Sequence, residues 1–422
     1  MTSGGAAPVG RLRAAGKLLA LLGLGGILAT SWITATGVSA RQDSWHAGAL
    51  QGLAGPLTAD GYRTALLVLG LCYLVVLACG IAGTLPRRPA LVTVIVAQLL
   101  FALMAIAPEQ DLYTYLGFAR LESIHAINPY EHGLIAARDD PLFELAAFRH
   151  TTTPYGPLFS LITIAVTPLP VAVAAWTLKA ILVSAMLGCL GIVWAIAREL
   201  RQDATLAVAF VGLNPAILVY AVGKGHNDGL MMLPLLVAAL LIVRGRDLAA
   251  GASAVLAVGV KVIAVIMLPL LLIASRKRRA IAVGGAAAGF VAIAISFAVF
   301  GVEPVHVLQN ARRDQGLINR DTSLIGLFGR ALGLPLRDVA RDWGSVIFVA
   351  AYALVLIAAW RTPAEWIRWS SWAMVALLAT SAAFFPWYLL WVLPLAAVSG
   401  SRLLQGAAIG LTATSIGVFT FS

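Results

Sequence analysis

Apolar stretches of about 20 residues, the length that carries a helix across roughly 30 Å of hydrocarbon, recur from Leu18 almost to the C-terminus. The pattern predicts spans at residues 18–38, 64–84, 90–107, 178–197, 205–222, 230–243, 281–300, 344–360, 369–385, 387–399 and 403–421. A membrane barrel would instead show alternating segments of about ten residues, and the chain has none. The expected fold class is an all-α polytopic membrane protein, with residues 1–422 forming a single integral membrane domain. Two more apolar stretches, 156–176 and 248–275, leave the count between eleven and thirteen transmembrane helices, with the remaining apolar pieces re-entrant or interfacial.

Charge position supplies the orientation. Arg11, Arg13 and Lys17 before the first span, with Arg87 and Arg88 after the second, put the N-terminus and that turn in the cytoplasm by the positive-inside rule. Residues 108–155 then form a first large external loop and residues 301–343 a second. Arg244 and Arg246 precede the stretch 248–275, and Arg276, Lys277, Arg278 and Arg279 follow it. Either that stretch enters the membrane and returns, with Gly259 near its turn, or it crosses once as a long tilted helix. The stretch 156–176 must likewise be re-entrant if the turn around His226 is external. The run ending at Val38-Ser39-Ala40 is longer than a usual signal-peptide core, so it is read as an uncleaved first span.

Composition narrows the function classes. With 60% hydrophobic and 12% charged residues, most of the chain belongs in lipid. The net charge of +11 sits in short clusters between apolar spans, so no nucleic-acid partner is implied. Cys72 and Cys79 share one apolar segment and Cys189 lies in another, which is no disulfide framework.

Candidate chemistry concentrates outside the apolar spans. Residues 108–155 hold seven of the nineteen acidic residues and three of the six histidines. Tyr113, Tyr115, Phe118, Leu121 and Ile124 recur at helical spacing, which predicts an amphipathic helix lying at the interface. Asp111 directly follows the third span. A carboxylate at that level can take a proton from a sugar hydroxyl while a lipid-linked donor stays in the bilayer, or it can simply cap the helix. Asn128-Pro129-Tyr130 and Thr153-Pro154-Tyr155-Gly156-Pro157 are rigid aromatic turns, open to anchoring or sugar contact. Lys224-Gly225-His226-Asn227-Asp228 packs donors, acceptors and a titratable ring between two apolar stretches, more than a bare turn needs. Lys261 is the only charge in 248–275; it costs about 3 kcal/mol at a helix centre and needs either a helix partner or an anionic lipid phosphate. The second external loop carries Arg312, Arg313 and Arg320, whose guanidinium groups suit phosphate. No Gly-rich phosphate loop, HExxH, CxxC or DxD occurs around these residues, which argues against a nucleotide-sugar site.

These motifs have a collective resemblance. Asp111-Leu112-Tyr113-Thr114-Tyr115, Asn128-Pro129-Tyr130, Thr153-Pro154-Tyr155-Gly156-Pro157, Gly225-His226-Asn227-Asp228, Gly259-Val260-Lys261 and Pro386-Trp387-Tyr388-Leu389-Leu390-Trp391 stand in the order seen in actinobacterial α-1,6-mannosyltransferases. The chain resembles the MptA/MptB-like group, and more distantly PimE-like enzymes, over roughly Pro108 to Leu395. The resemblance implies a GT-C glycosyltransferase fold and Asp111 as catalytic base. It implies polyprenyl-phosphate mannose as donor, a glycolipid or lipid-linked mannan as acceptor, and a site on the outer face of the plasma membrane. Lys224, His226, Lys261 and Arg320 are then expected at the donor phosphate, and Tyr115, Tyr130, Tyr155, Asn227, Asp228, Trp387 and Tyr388 at the sugars. The scheme calls for no metal or cofactor. A lipid-linked sugar transporter or flippase, and a GT-C transferase for another sugar such as arabinose, are the alternatives.

Overall fold

The computed structural model describes residues 6–37, 49–106, 111–310 and 323–421, and among them every regular element is helical. The N-terminal part comprises α1 (Ala6–Gly37), α2 (Ala59–Ile81), α3 (Arg87–Ala102) and α4 (Asp111–Ser123). The middle follows as α5 (Pro157–Ile164), α6 (Val171–Glu199), α7 (Ala204–Gly212), α8 (Asp228–Val243), α9 (Asp247–Val260), α10 (Met267–Ala274) and α11 (Arg278–Phe300). The C-terminal part holds α12 (Leu324–Leu332), α13 (Arg337–Arg361), α14 (Trp366–Thr380), α15 (Leu393–Val398) and α16 (Arg402–Phe421).

Five of these are long and apolar enough to cross a membrane: Gly10–Gly37, Ala59–Ile81, Val171–Glu199, Arg278–Phe300 and Asp342–Arg361. Phe290 and Ile293 on α11 and Leu354 on α13 leave the bundle exposed, as side chains facing lipid do. The remaining segments read as spans are shorter, broken or less apolar. α7 and the π-helical turn Ile217–Gly223 meet at 67° and make a sixth span only if counted together. Pro215 supplies no N–H at that break, and two carbonyls beside it are taken by side chains. Tyr73 OH donates to Phe210 O at 2.7 Å and Gln98 Nε2 to Gly212 O at 2.8 Å, as buried backbone in an apolar medium requires.

The stretch 248–275 enters and returns. Gly284 packs against the carbonyl of Leu248, Gly251 against that of Ile281, and Val255 against Gly285 and Gly289. The pairing advances in one direction along both helices, so α9 and α11 are parallel and residues 261–277 bring the chain back to the level where α9 began. Both basic clusters therefore lie at one end of the bundle. The turn is at Lys261, whose backbone is extended at φ −149°, ψ 118°, two residues beyond the expected Gly259.

Two expectations need correction. The stretch 156–176 does not cross as one helix: α5 spans only eight residues, about 12 Å, and runs beside α4, with Tyr115 against Phe159 and Ser123 bonded to Thr167 at matching offsets. The rest of that stretch opens α6, which starts at Val171, seven residues earlier than the apolar pattern suggested. α4 is indeed a helix, but it is not a half-exposed interfacial one. Residues Leu112 to Ala119 are all buried, because α5, α6 and the loop after α4 cover it on its polar side as well. A clamp on Asp140 holds that loop, with Arg120 Nε at 2.9 Å, His125 Nε2 at 2.8 Å and the Leu142 amide at 3.0 Å.

Candidate active site

Three chain reversals meet at the end of the bundle opposite the basic clusters of α9 and α11. The first is the turn Thr153 to Pro157, where Gly156 N donates to Val260 O at 3.0 Å. A Cβ on Gly156 would run into the Gly259 carbonyl, so the absence of a side chain lets the turn seat on the Lys261 tip. The second is Lys224 to Asp228, which reverses through Gly225 at φ +70°, a conformation natural only to glycine. The third is the 3₁₀ turn Pro386–Trp391.

Asp111 opens α4 at the centre of this meeting. Its Oδ2 lies 3.1 Å from His226 Nδ1 and accepts a 3.3 Å hydrogen bond from Tyr115 OH, one helical turn on. The histidine contact is close enough for an ion pair when the ring is protonated, yet lies off the line of a hydrogen bond. Burial by itself would raise the Asp111 pKa, but His226, Lys261 and the Tyr115 hydroxyl outweigh it, and the carboxyl is held below its usual value. It is therefore ionised at neutral pH, and its position in the first turn of α4 also favours negative charge. His226 is fixed from behind by Trp387, which stacks on it at 3.6 Å with rings 12° apart.

Lys261 occupies the second layer of charge. Its Nζ donates to Asp228 Oδ1 at 2.8 Å and to Asn227 Oδ1 at 3.3 Å, and it stands 5.4 Å from the ring centres of both Tyr388 and Trp391. Trp391 Nε1 also donates to Asp228 Oδ1, at 2.6 Å. Asp228 is fully buried, and this pairing is the helix-partner reading of Lys261 realised. Asp228 Oδ2, Asn227 Nδ2 and His226 Nδ1 are buried without a hydrogen-bond partner among the described residues. Buried polar atoms of this kind are the exception in folded proteins, and these three sit on consecutive residues. Lys224 lies over the Tyr220 ring at 4.8 Å. Burial lowers its pKa, and the charge of Asp111 opposes that.

The expected site residues thus divide. Asp111, Tyr115, Lys224, His226, Asn227, Asp228, Lys261, Trp387 and Tyr388 converge, and Tyr155 joins them edge-on to Tyr115 at 5.0 Å. Tyr130 stands one layer back, where its hydroxyl braces Tyr155 O at 3.2 Å and Ser160 Oγ at 3.0 Å. Arg320, Arg312 and Arg313 lie outside the described residues. Trp391 was not singled out from its motif; in the 3₁₀ turn it shares a side with Tyr388, three residues before it, and stacks on that ring at 4.2 Å. Lys179, a lone charge in the apolar run of α6, was overlooked although that signal was legible.

The arrangement can hold an acceptor hydroxyl at a carboxylate, cradle a sugar between aromatic rings and place cations beside an anionic leaving group. Comparisons with known proteins identify the family. A family model described as alpha-(1->6)-mannopyranosyltransferase, N-terminal domain, matches residues 18–277. Alpha-(1->6)-mannopyranosyltransferase A of Corynebacterium glutamicum is 31% identical over 183 residues, 41% of this chain and 36% of that protein. The protein of the same description from Mycobacterium tuberculosis is 27% identical over 343 residues, 74% of this chain and 65% of its own. The chain therefore spans less than two thirds of the length of these relatives. No solved structure matches. Because the family match covers more than half of its residues, the chain belongs to the MptA/MptB family of alpha-(1->6)-mannopyranosyltransferases.

Proposed function

We propose that this membrane protein transfers mannose from polyprenyl-phosphate mannose to a glycolipid or lipid-linked mannan at the outer face of the membrane, forming an α-1,6 linkage with inversion. The observation that carries the reading is the convergence of one ionised carboxylate, Asp111, with His226 and the Lys261 tip at the level where the chain leaves the apolar bundle. The acceptor oxygen attacks the anomeric carbon, its proton passes to Asp111, and the bond to phosphate breaks with polyprenyl phosphate leaving on the opposite face. Negative charge grows on that phosphate. Lys224, which makes no ion pair among the described residues, and Lys261, which would share its charge between Asp228 and the phosphate, serve as preorganised cations. Tyr155, Trp387 and Tyr388 line the sugar site; Trp387 is stacked against His226 and Phe385 and Tyr388 against Trp391, so these two meet a sugar through their edges.

The test uses purified protein in lipid nanodiscs with radiolabelled polyprenyl-phosphate mannose and a lipid-linked α-mannoside acceptor. Label should enter the acceptor in a linkage removed by an α-1,6-specific mannosidase. Turnover with GDP-mannose alone would overturn the donor assignment. Movement of intact donor across vesicles without bond cleavage would favour the transporter alternative.

A further inference from the structure

Behind the site lies a buried charge that the proposed reaction does not use. Lys179, the ninth residue of the 29-residue α6, is 1% exposed, and its helix neighbours Leu178, Leu182 and Val183 are buried with it. Among the described residues its ammonium has one hydrogen-bond acceptor, the carbonyl of Met104 at 2.6 Å, and one aromatic face, Trp176 at 5.1 Å. An ammonium carries three donors and is costly to keep at such a position. Its partners are specific. Met104 lies just past the end of α3, seven residues before Asp111. The Lys179 stem also lies 3.7 Å from where a Cβ of Gly225 would stand, and the same point is 2.8 Å from Leu112 Cδ1. Two residues beyond Met104, the Ile106 carbonyl accepts from Tyr113 OH of α4 at 2.9 Å, so one side chain holds a stretch of backbone bonded to the Asp111 helix and backs the turn that delivers His226.

We propose that Lys179 is a positioning residue that sets the approach of Asp111 to His226 by holding the Met104 carbonyl and backing the Gly225 turn. The inference rests on Asp111 being the base of the proposed transfer. The groups facing that carboxylate are Tyr115 on its own helix, Lys224 and His226 from the turn before α8, and Lys261 from the tip after α9, with Asp228 beyond them. Without its tether the carboxylate drifts from His226, burial is less opposed, and proton uptake moves to higher pH.

The experiment compares Lys179→Met and Lys179→Arg with the parent by kcat, KM and the pH dependence of kcat/KM for transfer from polyprenyl-phosphate mannose. Lys179→Met should lower kcat on the order of tenfold to a hundredfold, as a misplacement near 1 Å does, leave KM for donor within about twofold, and shift the acid limb upward. Lys179→Arg, which keeps an N–H donor for Met104, should restore the limb. In a His226→Gln background, Lys179→Met should cost little more. If the methionine variant is not recovered as folded protein, Lys179→Gln, whose amide ends short of the ammonium position, carries the same expectations. An unmoved limb with parental kcat, or equal losses in both backgrounds, overturns the positioning role. Full activity of Asp111→Asn would instead remove the reading on which it rests, whatever Lys179 does.

Discussion

The division of labour among neighbouring charged residues decides what a substitution reports. Asp111→Asn keeps the side-chain shape and the capacity to sit at a helix start but cannot take a proton. Turnover should fall by at least about 10²- to 10⁴-fold while expression and donor binding stay near parental, and near-normal turnover would exclude Asp111 as base. Stability responds with a definite sign. The Asp111 pKa is lower in the folded protein than its ordinary value, so its contribution is present above the ordinary carboxylate range and is lost as pH falls through the folded value. The melting temperature of Asp111→Asn should accordingly lose that acid dependence. Lys261 is less simple to test. Lys261→Met leaves the buried Asp228 carboxylate with Trp391 as its one remaining side-chain donor among the described residues, a loss of about 3–5 kcal/mol for a broken buried pair. The pair Lys261→Met with Asp228→Asn should recover folding yet bind donor weakly if the ammonium meets the lipid phosphate. Parental donor affinity in that folded double variant would leave Lys261 a purely structural partner.

Short reversals, rather than long helices, carry the candidate site. Gly156 has an ordinary backbone, φ −69°, ψ 154°, so its substitution tests crowding without backbone strain. Gly156→Ala places a methyl against the Gly259 carbonyl. It should cost about 1–3 kcal/mol, the usual effect of overpacking, and reduce transfer by parting the α5 turn from the Lys261 tip. Thermal melts and initial rates on the same preparation check both effects; an unchanged melt with unchanged rate would show that the two tips are not coupled. The motif Thr153-Pro154-Tyr155-Gly156-Pro157 was legible in sequence as a rigid turn. That its glycine exists to meet Gly259, more than one hundred residues on, was not, since nothing local encodes a contact between two tips.

For the whole molecule, the parallel course of α9 and α11 makes a topological statement. The basic residues around 244–246 and 276–279 must share one membrane face, and the positive-inside rule predicts that it is the cytoplasmic one. Single cysteines at Gly245, Lys277 and the exposed Asp139, in a background lacking Cys72, Cys79 and Cys189, test this with a membrane-impermeant thiol reagent on intact cells. Asp139→Cys should label from outside, and the other two only after permeabilisation. Labelling of Gly245→Cys and Lys277→Cys from opposite faces would contradict the returning path of residues 248–275. Gly225 is a poor reporter for the same purpose, because a side chain there meets Leu112 at a positive φ.

Sequence alone determined the medium and the helical class and singled out the candidate residues, because each follows from local quantities. Apolar run length fixes what lies in lipid, Arg and Lys clusters set the orientation to be expected, and polar residues such as Asp111, His226 and Lys261 stand out where an apolar background makes them costly. Only the tertiary structure decided whether residues 248–275 cross or return, because both paths bury the same apolar surface and satisfy the same backbone, and the choice rests on Gly251 and Gly284 admitting close helix contact. It also decided the pairings. Asp111 with His226, Lys261 with Asp228, and Lys179 with the Met104 carbonyl join residues 33 to 115 positions apart, where the energy of an interaction depends on distance in space and leaves no trace in local pattern.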